Sequence, residues 1–350
     1  MPAPPPVISA WTAISPLGAG NTTHTRATRP AHTVHHVPDF DPRAVLGKAG
    51  TRSMDRASAL AVATVGQLLQ TLPHDHPGPR TDPDGTAVVL ATTGSPQAMW
   101  DFTRSSLLSA RPFHVNPAVV PSGVPNCAAG LVAIWHKLTG PNTTISMGRT
   151  GGLSALSYAH RLLANQRAAR VVVGATEEYS PTRAVLDLQH SPSDTTDTAL
   201  GEGCAVFLLE PPAPHLADRP VTDVLCVMHR TGPAADPGAS LPDCIHEALD
   251  HCRIGPDQVW AALGSHATGE LGQREQQALD DLFGTDIARR IPPPPIGDTA
   301  SATSAFQIAA ALTTPVPAAT ATILVITAVD LTGTVSCAVL RRRPARAPQP

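Results

Sequence analysis

Strand-like and helix-like segments alternate along this chain in two series, one on each side of a proline-rich segment at residues 211–214. Short apolar runs predict strands at residues 7–15, 86–93, 143–146, 170–174, 204–210, 221–228, 260–263, 321–329 and 334–340. Apolar residues at three- and four-residue steps predict helices at residues 54–72, 127–138, 153–163, 241–252, 273–283 and 303–312. This alternation predicts an α/β fold in which helices cover the sheets.

Composition and charge argue against several classes of function. Hydrophobic residues make up 42% and charged residues 15% of the chain, as in a globular protein. The net charge of −3, without a basic stripe in the body of the chain, gives nucleic-acid binding no support. No apolar run approaches the roughly 20 residues of a membrane-spanning helix. The N-terminus lacks the charged and apolar regions of a signal peptide, so we expect a cytoplasmic protein.

The six cysteines and fifteen histidines of the chain are candidate metal ligands. The cysteines form no Cys-x-x-Cys pair, and we expect buried free thiols at Cys127, Cys204, Cys226, Cys244, Cys252 and Cys337. Two histidine groups, His35-His36 and His74-Asp75-His76, lie in loop-like sequence without a second cluster at ligand spacing. We expect these histidines to be exposed loop residues, and we expect neither a metal nor a cofactor.

A glycine-rich segment, Gly148-Arg149-Thr150-Gly151-Gly152, lies between a predicted strand and a predicted helix. It lacks the spacing of a phosphate-binding loop, and no acidic residue follows at the distance typical of dinucleotide sites. The segment therefore predicts a tight strand-to-helix turn that holds Arg149 at the beginning of the helix.

Six segments of the chain resemble the β-ketoacyl synthases and follow one another in that family's order. Residues 140–156 resemble the region of the family's nucleophilic cysteine, where a Gly-Pro pair and a short strand lead into Ala-Cys-Ser-Ser. The other five segments are residues 7–18, residues 173–178, the Gly-Glu-Gly motif at 200–205, the first histidine motif at 264–269 and the second histidine motif at 296–302.

The resemblance implies the thiolase fold, in which two similar α/β halves form a layered α-β-α-β-α sandwich. We expect the first half at residues 1–210 and the second at residues 211–340. The basic, proline-rich residues 341–350 are expected to form a disordered tail. Members of the family are obligate dimers.

Two departures from the family's pattern bear on catalysis. Arg149 aligns with the nucleophilic cysteine, and a protonated guanidinium cannot act as a nucleophile. His266 aligns with the first catalytic histidine, but Asp298 replaces the second, and an ionised carboxylate cannot donate to a developing enolate. We therefore expect these three residues to mark a vestigial site without catalytic residues. Because an unpaired arginine is costly there, we also expect Arg149 and Asp298 to form an ion pair.

Loss of the cysteine with retention of the fold resembles the chain-length factors of type II polyketide synthases. The implied partners are a cysteine-containing ketosynthase, in a heterodimer, and transiently an acyl carrier protein. Residues 177–181 suggest a polyene or reducing pathway. Three alternatives stay open: an acyltransferase with His266 as the base, a decarboxylase, and a ketosynthase-like homodimer that binds a carrier protein. Cys127, beside Asn126 at the beginning of a predicted helix, is the candidate for a relocated nucleophile.

Overall fold

The computed structural model describes residues 4–21, 36–73, 76–190, 199–217, 219–316 and 321–343. The strands are β1 Val7–Ser15, β2 Gly18–Ala19, β3 Thr86–Ala91, β4 Asn142–Ile145, β5 Arg170–Glu177, β6 Gly203–Glu210, β7 Val221–Thr231, β8 Val259–Leu263, β9 Thr322–Val329 and β10 Thr334–Arg343. The helices are α1 Pro42–Leu46, α2 Arg56–Thr71, α3 Pro96–Leu108, α4 Cys127–His136, α5 Gly151–Ala164, α6 Pro181–His190, α7 Leu241–Cys252, α8 Gly269–Phe283, α9 Thr285–Ala288 and α10 Thr303–Thr313. All the predicted strands and helices are present with small shifts at their ends, whereas β2, α1, α3, α6 and α9 were not predicted.

The strands form one continuous sheet in the order β4-β3-β5-β6-β1-β7-β10-β9-β8, with β2 paired to β1. Counted outward from the central β1–β7 contact, the first half runs β1, β6, β5, β3, β4 and the second runs β7, β10, β9, β8. In each half the last strand in the chain is antiparallel to both of its neighbours. The two halves therefore repeat one topology, and no strand in the described second half corresponds to β4.

Three apolar cores define the layers of the molecule. One core lies between α2, α4 and one face of the first half's strands. A second contains α5 and α10 together with the inward faces of both halves' strands. The third lies between the second half's strands and α7 and α8. Residues of β3 divide accordingly: Ala87 and Val89 belong to the central core, and Val88 and Leu90 to the outer one. The result is the layered α-β-α-β-α sandwich of the thiolase fold, as expected from the sequence.

Local sequence explains where several helices begin. The side chain of Asp55 accepts a hydrogen bond from the first turn of α2. Ser95 does the same for α3, which has Pro96 at its first position. Asn126 lies immediately before α4, but its side chain makes no capping hydrogen bond. The backbone of Asn126 is already helical, with φ −76° and ψ −1°, instead of the extended conformation of most caps.

The end of the chain differs from the expected tail. Residues Arg341, Arg342 and Arg343 continue β10, so the prediction of a disordered tail from residue 341 is wrong for these three. Arg341 Nε and Arg343 Nη2 lie 2.7 and 2.8 Å from the carboxylate oxygens of Asp223 on β7, and this contact holds the strand end in the sheet. Residues 344–350 of that prediction lie outside the described residues. The division between domains at residue 210 stays a prediction, although β6 does end at Glu210.

Among the described residues, no single helix is long and apolar enough to cross a membrane. The 3₁₀ helix Pro117–Gly123 and α4 reach the required length and composition only when they are joined, and the chain bends by 111° between them.

Candidate functional site

Two short 3₁₀ helices, Gly148–Thr150 and Ala300–Ala302, meet in the centre of the molecule. Each one leads into the central helix of its half, α5 or α10. Gly148 has a φ of +52°, and a Cβ atom there would collide with the carboxylate of Asp330, so a larger residue would be strained and would displace Asp330. Asp330 in turn accepts a hydrogen bond of 2.9 Å from the backbone N–H of Arg149. The turn is thereby fixed against the end of β9.

Two further glycines let the central helices approach each other. A Cβ atom on Gly151 would lie 3.2 Å from the Cβ of Ser301, and one on Gly152 would collide with Ser304 Oγ. Gly151 and Gly152 therefore serve close helix packing. The predicted strand-to-helix turn is confirmed, and it brings Arg149 towards the second half.

Arg149 and Asp298 form the predicted ion pair between Nη2 and Oδ2. Their side chains are only 18% and 12% exposed. Burial raises the pKa of the Asp298 carboxyl, but the charges of Arg149 and Arg183 and the N–H of Ala300 outweigh it, so the net pKa lies below its ordinary value. Asp298 is therefore ionised at neutral pH. The ion pair lies at the turn that resembles the region of the nucleophilic cysteine in β-ketoacyl synthases.

His266 lies just beyond β8, in an exposed position with a φ of +51°. The residue before it, Ser265, is anchored because its N–H and hydroxyl donate to Glu275 Oε2 at 2.8 and 2.6 Å. Desolvation by the neighbouring protein lowers the pKa of the His266 imidazole, which favours the neutral form. In the described part of the chain no hydrogen bond or ion pair joins His266 to Arg149 or Asp298. The structure thus brings together two of the three predicted site residues.

Three buried glutamates hold the segments around this site. Glu177 accepts from the N–H and hydroxyl of Thr93 at 2.7 and 2.6 Å, and Glu202 accepts two hydrogen bonds from Arg56 at 2.7 and 2.6 Å. Glu275 was not singled out from the sequence. Burial raises the pKa of the Glu177 and Glu275 carboxyls, and their hydrogen bonds offset part of that rise. These glutamates position loops.

All six thiols are free. Four are buried as predicted, but Cys127 and Cys252 are only half-buried, which corrects the prediction for those two. Burial raises the pKa of Cys204 and of Cys244 to about 12. Burial and the charge of Asp55 also raise the pKa of Cys127, so this thiol is not activated as a nucleophile.

Comparison with known proteins identifies the family. Residues 13–215 match the family described as β-ketoacyl synthase, N-terminal domain. The chain belongs to the β-ketoacyl synthase family. Its thiolase-like architecture agrees with a solved structure of the ishigamide ketosynthase/chain length factor, which is 36% identical. The TM-score is 0.85, and the match covers 96% of this chain and 99% of that one.

Two more distant similarities extend the comparison. The chain is 25% identical to the 3-oxoacyl-[acyl-carrier-protein] synthase 2 of Coxiella burnetii over 73% of its own length. It spans 67% of the length of that synthase and smaller shares, down to 34%, of other synthases with the same name. A ketosynthase solved in complex with its chain length factor from Xenorhabdus doucetiae shares the fold, with a TM-score of 0.72 and 15% identity. That match covers 96% of this chain and 98% of the other.

A pocket of about 730 Å³ in this β-ketoacyl synthase family member was not predicted from the sequence. It lies between the beginning of α2, α3 and the segment that follows β5. Glu178 in its wall is 2% exposed. Its Oε2 accepts from Ser95 Oγ at 2.9 Å, and its Oε1 has no hydrogen-bond partner among the described residues. Burial raises the pKa of Glu178 to about 7. Apolar lining is supplied by Met54, Ala98, Phe102 and Val119.

Several large apolar side chains of the first half are exposed. They lie on α3, on the 3₁₀ helix that follows it, on α4 and in the connecting segments: Met99, Trp100, Leu107, Leu108, Phe113, Val120, Val124, Ile134 and Met147. We call this set the apolar face. Beside it, β4 is the outermost strand of the first half, and its second edge has no strand partner in the described chain. Exposed apolar patches and unpaired strand edges often mark the interaction surfaces of proteins.

The histidine groups give a mixed result. His36 is exposed as predicted, and its ring lies 4.3 Å from that of Tyr179. His35, His74 and Asp75 lie outside the described residues. The prediction is wrong for His76, which is buried with 6% exposure because the loop after α2 folds against the end of β6.

Proposed function

We propose that this chain is the non-catalytic, chain-length-factor subunit of a type II polyketide synthase and pairs with a cysteine-containing ketosynthase. The observation that carries the proposal is the ion pair between Arg149 and Asp298 at the turn that matches the family's nucleophile. A guanidinium stays protonated at neutral pH and cannot be acylated. The family membership of the chain makes this loss informative, since the surrounding turn is retained.

The remaining groups at the turn do not replace the missing chemistry. Condensation requires an acylated thiol and donors that stabilise the developing enolate. Asp298 is ionised and can only accept hydrogen bonds, and Arg149 is engaged with it. His266 is the one remaining site residue with a titratable ring, and no activated nucleophile contacts it among the described residues. The partner subunit would therefore supply the cysteine.

The apolar face and β4 are the surface on which we place the ketosynthase partner. Burying large apolar side chains such as Trp100, 54% exposed, and Ile134, 75% exposed, would drive association. The open edge of β4 offers unpaired backbone groups to a strand of the partner. An acyl carrier protein would bind the assembly only transiently, in the cytoplasm.

The pocket beside the apolar face would contribute to the wall of the acyl cavity. Glu178 is the polar group of its wall whose protonated form could donate to a carbonyl oxygen of the growing chain. The apolar side chains of α3 would set the space that the chain can fill. Residues 177–181 are the feature on which we propose a polyene or reducing pathway.

The decisive experiment is co-expression with a cysteine-containing ketosynthase, followed by native mass spectrometry and a condensation assay with malonyl-carrier protein. We expect a one-to-one complex whose activity disappears when the partner's cysteine is replaced by alanine. His266→Ala in this chain should leave the rate unchanged, and Arg149→Cys should give the isolated chain no activity. A stable homodimer that turns over acyl substrate alone, and loses that activity in His266→Ala, would replace this proposal with an acyltransferase.

A further inference from the structure

Three potential metal ligands lie close together in the fold. None of them belongs to the turn that carries Arg149. His76 lies in the loop after α2, Glu210 ends β6, and His215 lies in the 3₁₀ helix Pro214–Leu216. His76 Nε2 is 3.4 Å from Glu210 Oε1, and His215 Nε2 is 3.9 Å from Glu210 Oε2. One ligand atom from each residue lies within 4.8 Å of the other two.

His76 has an unexplained position in the structure. It is 6% exposed, yet neither ring nitrogen has a hydrogen-bond partner in the described part of the chain. The approach of Nε2 to Glu210 lacks the geometry of a hydrogen bond. Buried polar atoms are nearly always paired, because leaving one unpaired costs the full desolvation penalty. The free nitrogens of His76 therefore point to a ligand that completes this cluster.

We propose that His76, Glu210 and His215 bind a zinc ion. Zinc bonds to imidazole nitrogen and carboxylate oxygen at about 2.0–2.2 Å, which places tetrahedral ligand atoms about 3.4 Å apart. The three side chains need only a small contraction from their present separations to meet that requirement. Two histidines and one glutamate leave the fourth position to water, an arrangement that zinc accepts.

The surroundings bear on the strength of this site. Ser9 Oγ donates to Glu210 Oε1, which orients the carboxylate as outer partners of metal ligands commonly do. Desolvation lowers the pKa of His76 against the opposing charge of Glu210, and so the imidazole is in the neutral form that coordinates metals. The nearby charges of Arg170 and Arg219 weaken cation binding and limit its affinity. His215 has 31% of its side chain exposed and leaves a route for the ion.

A bound ion would fasten the connection between the two halves. His215 belongs to the segment between β6 and β7, whose 3₁₀ helix packs only a small apolar cluster, Val7, Leu216 and Val221, among the described residues. Zinc would tie this segment to the loop after α2. The three ligands meet only in the folded chain, so binding should stabilise the folded state.

The test uses the full chain, freed of any histidine tag and treated with a chelator. We expect calorimetric titration with zinc chloride to show one equivalent bound per chain, and the melting temperature to rise with zinc but not with magnesium. X-ray absorption at the zinc edge should show two imidazole nitrogens. His215→Ala should weaken binding at least about tenfold.

Controls separate this site from non-specific binding. His114→Ala, at an exposed histidine outside the cluster, should bind zinc as the unaltered chain does. Glu210→Gln keeps the shape of the side chain and should also weaken binding, while circular dichroism of the zinc-free variants verifies that they fold. Absence of a one-equivalent event in the unaltered chain, or full binding by His215→Ala, would overturn the proposal.

Discussion

The two halves of the molecule share one strand order but differ at the edge away from their contact. The first half ends in β4, whereas the second ends one strand earlier, at β8. Four consecutive prolines occupy residues 292–295, where the chain of the second half approaches its central helix. Proline has no N–H to donate to a sheet, so this segment cannot supply the missing strand. Among the described residues, only the first half has an outermost strand beside exposed apolar side chains.

The distribution of exposed apolar side chains follows the same division. Among the described residues, the large exposed apolar side chains lie in the first half, with the single exception of Leu331. The second half buries its large apolar side chains beneath α7 and α8. The halves are therefore alike in topology but different in the surfaces that they offer to a partner.

The two central turns show how the halves nevertheless depend on each other. The turn before α5 supplies Arg149, and the turn before α10 follows Asp298. Either charge alone would be costly in this poorly exposed position, whereas together they neutralise each other. Each half therefore supplies one charge of the ion pair, and neither turn is balanced without the other.

The largest expected effect comes from a charge placed on the apolar face. Ile134→Glu should raise the dissociation constant for the proposed ketosynthase partner by about 300-fold, because the lost apolar contact costs about 2 kcal/mol or more and a buried, unpaired charge adds to that cost. Leu331→Glu, the matched change in the second half, should leave the constant unchanged. Analytical ultracentrifugation of the mixed subunits measures both. Equal weakening by the two variants would contradict the division between the halves.

The second largest expected effect is a loss of stability when the ion pair between the two central turns is broken. Arg149→Ala leaves Asp298 poorly exposed without its partner and should lower the free energy of unfolding by about 3 kcal/mol. Chemical denaturation measures this change.

The double variant Arg149→Ala with Asp298→Ala should be more stable than Arg149→Ala alone, since no charge is left unpaired. Additive losses in this double-mutant cycle would show that the ion pair does not couple the turns. The depressed pKa of Asp298 gives a second check. Its contribution is present above the ordinary value of 3.8 and should be lost as the pH falls through the lower folded value.

A smaller effect concerns the pocket of the first half. Burial raises the pKa of Glu178 from 4.5 to about 7, so the folded state binds the proton more tightly than the unfolded state. Its contribution to stability is therefore present below pH 4.5 and is lost as the pH rises towards 7. We expect the free energy of unfolding to fall by about 2 kcal/mol between pH 4.5 and 7. This is less than the full pKa shift would give, because water in the pocket partly solvates the carboxylate.

Glu178→Gln should remove this loss and flatten the dependence of the unfolding free energy on pH between 4.5 and 7. Glu247→Gln on α7, where the carboxylate is 54% exposed, serves as the control from the second half and should change nothing. An unchanged slope in Glu178→Gln would mean that the carboxyl is ionised throughout this range.

The buried strands and helices could be predicted because apolar residues recur in them as continuous runs or at helical spacing. The strands read as continuous apolar runs since helices cover both faces, and α7 was predicted with its observed ends, Leu241–Cys252. Helix α3 was missed because its apolar residues lie exposed and follow no buried stripe: Trp100, Leu107 and Leu108 face outward, and none of its residues is buried. A helix without a buried stripe gives no amphipathic signal in the sequence.

Predictions about the site succeeded where charge had to be balanced and failed where distant loops meet. The pairing of Arg149 with Asp298 followed from the cost of an unpaired charge. The burial of His76 could not be predicted, because its neighbours Glu210 and His215 follow more than 130 positions later along the chain. Local sequence shows a polar loop there, and only the tertiary packing removes it from solvent.

The smallest expected effect is a difference in alkylation rate between two half-buried thiols, one from each half. Cys127 begins α4, where the helix dipole alone would favour a reactive thiolate, but burial and Asp55 raise its pKa. Cys252 ends α7, where the dipole is unfavourable, but a hydrogen bond with Cys226 lowers its pKa. Iodoacetamide at neutral pH should therefore modify Cys252 faster, by roughly threefold or more, as peptide mass spectrometry can measure. Faster labelling of Cys127 would reverse the comparison and restore that residue as a relocated nucleophile in the first half.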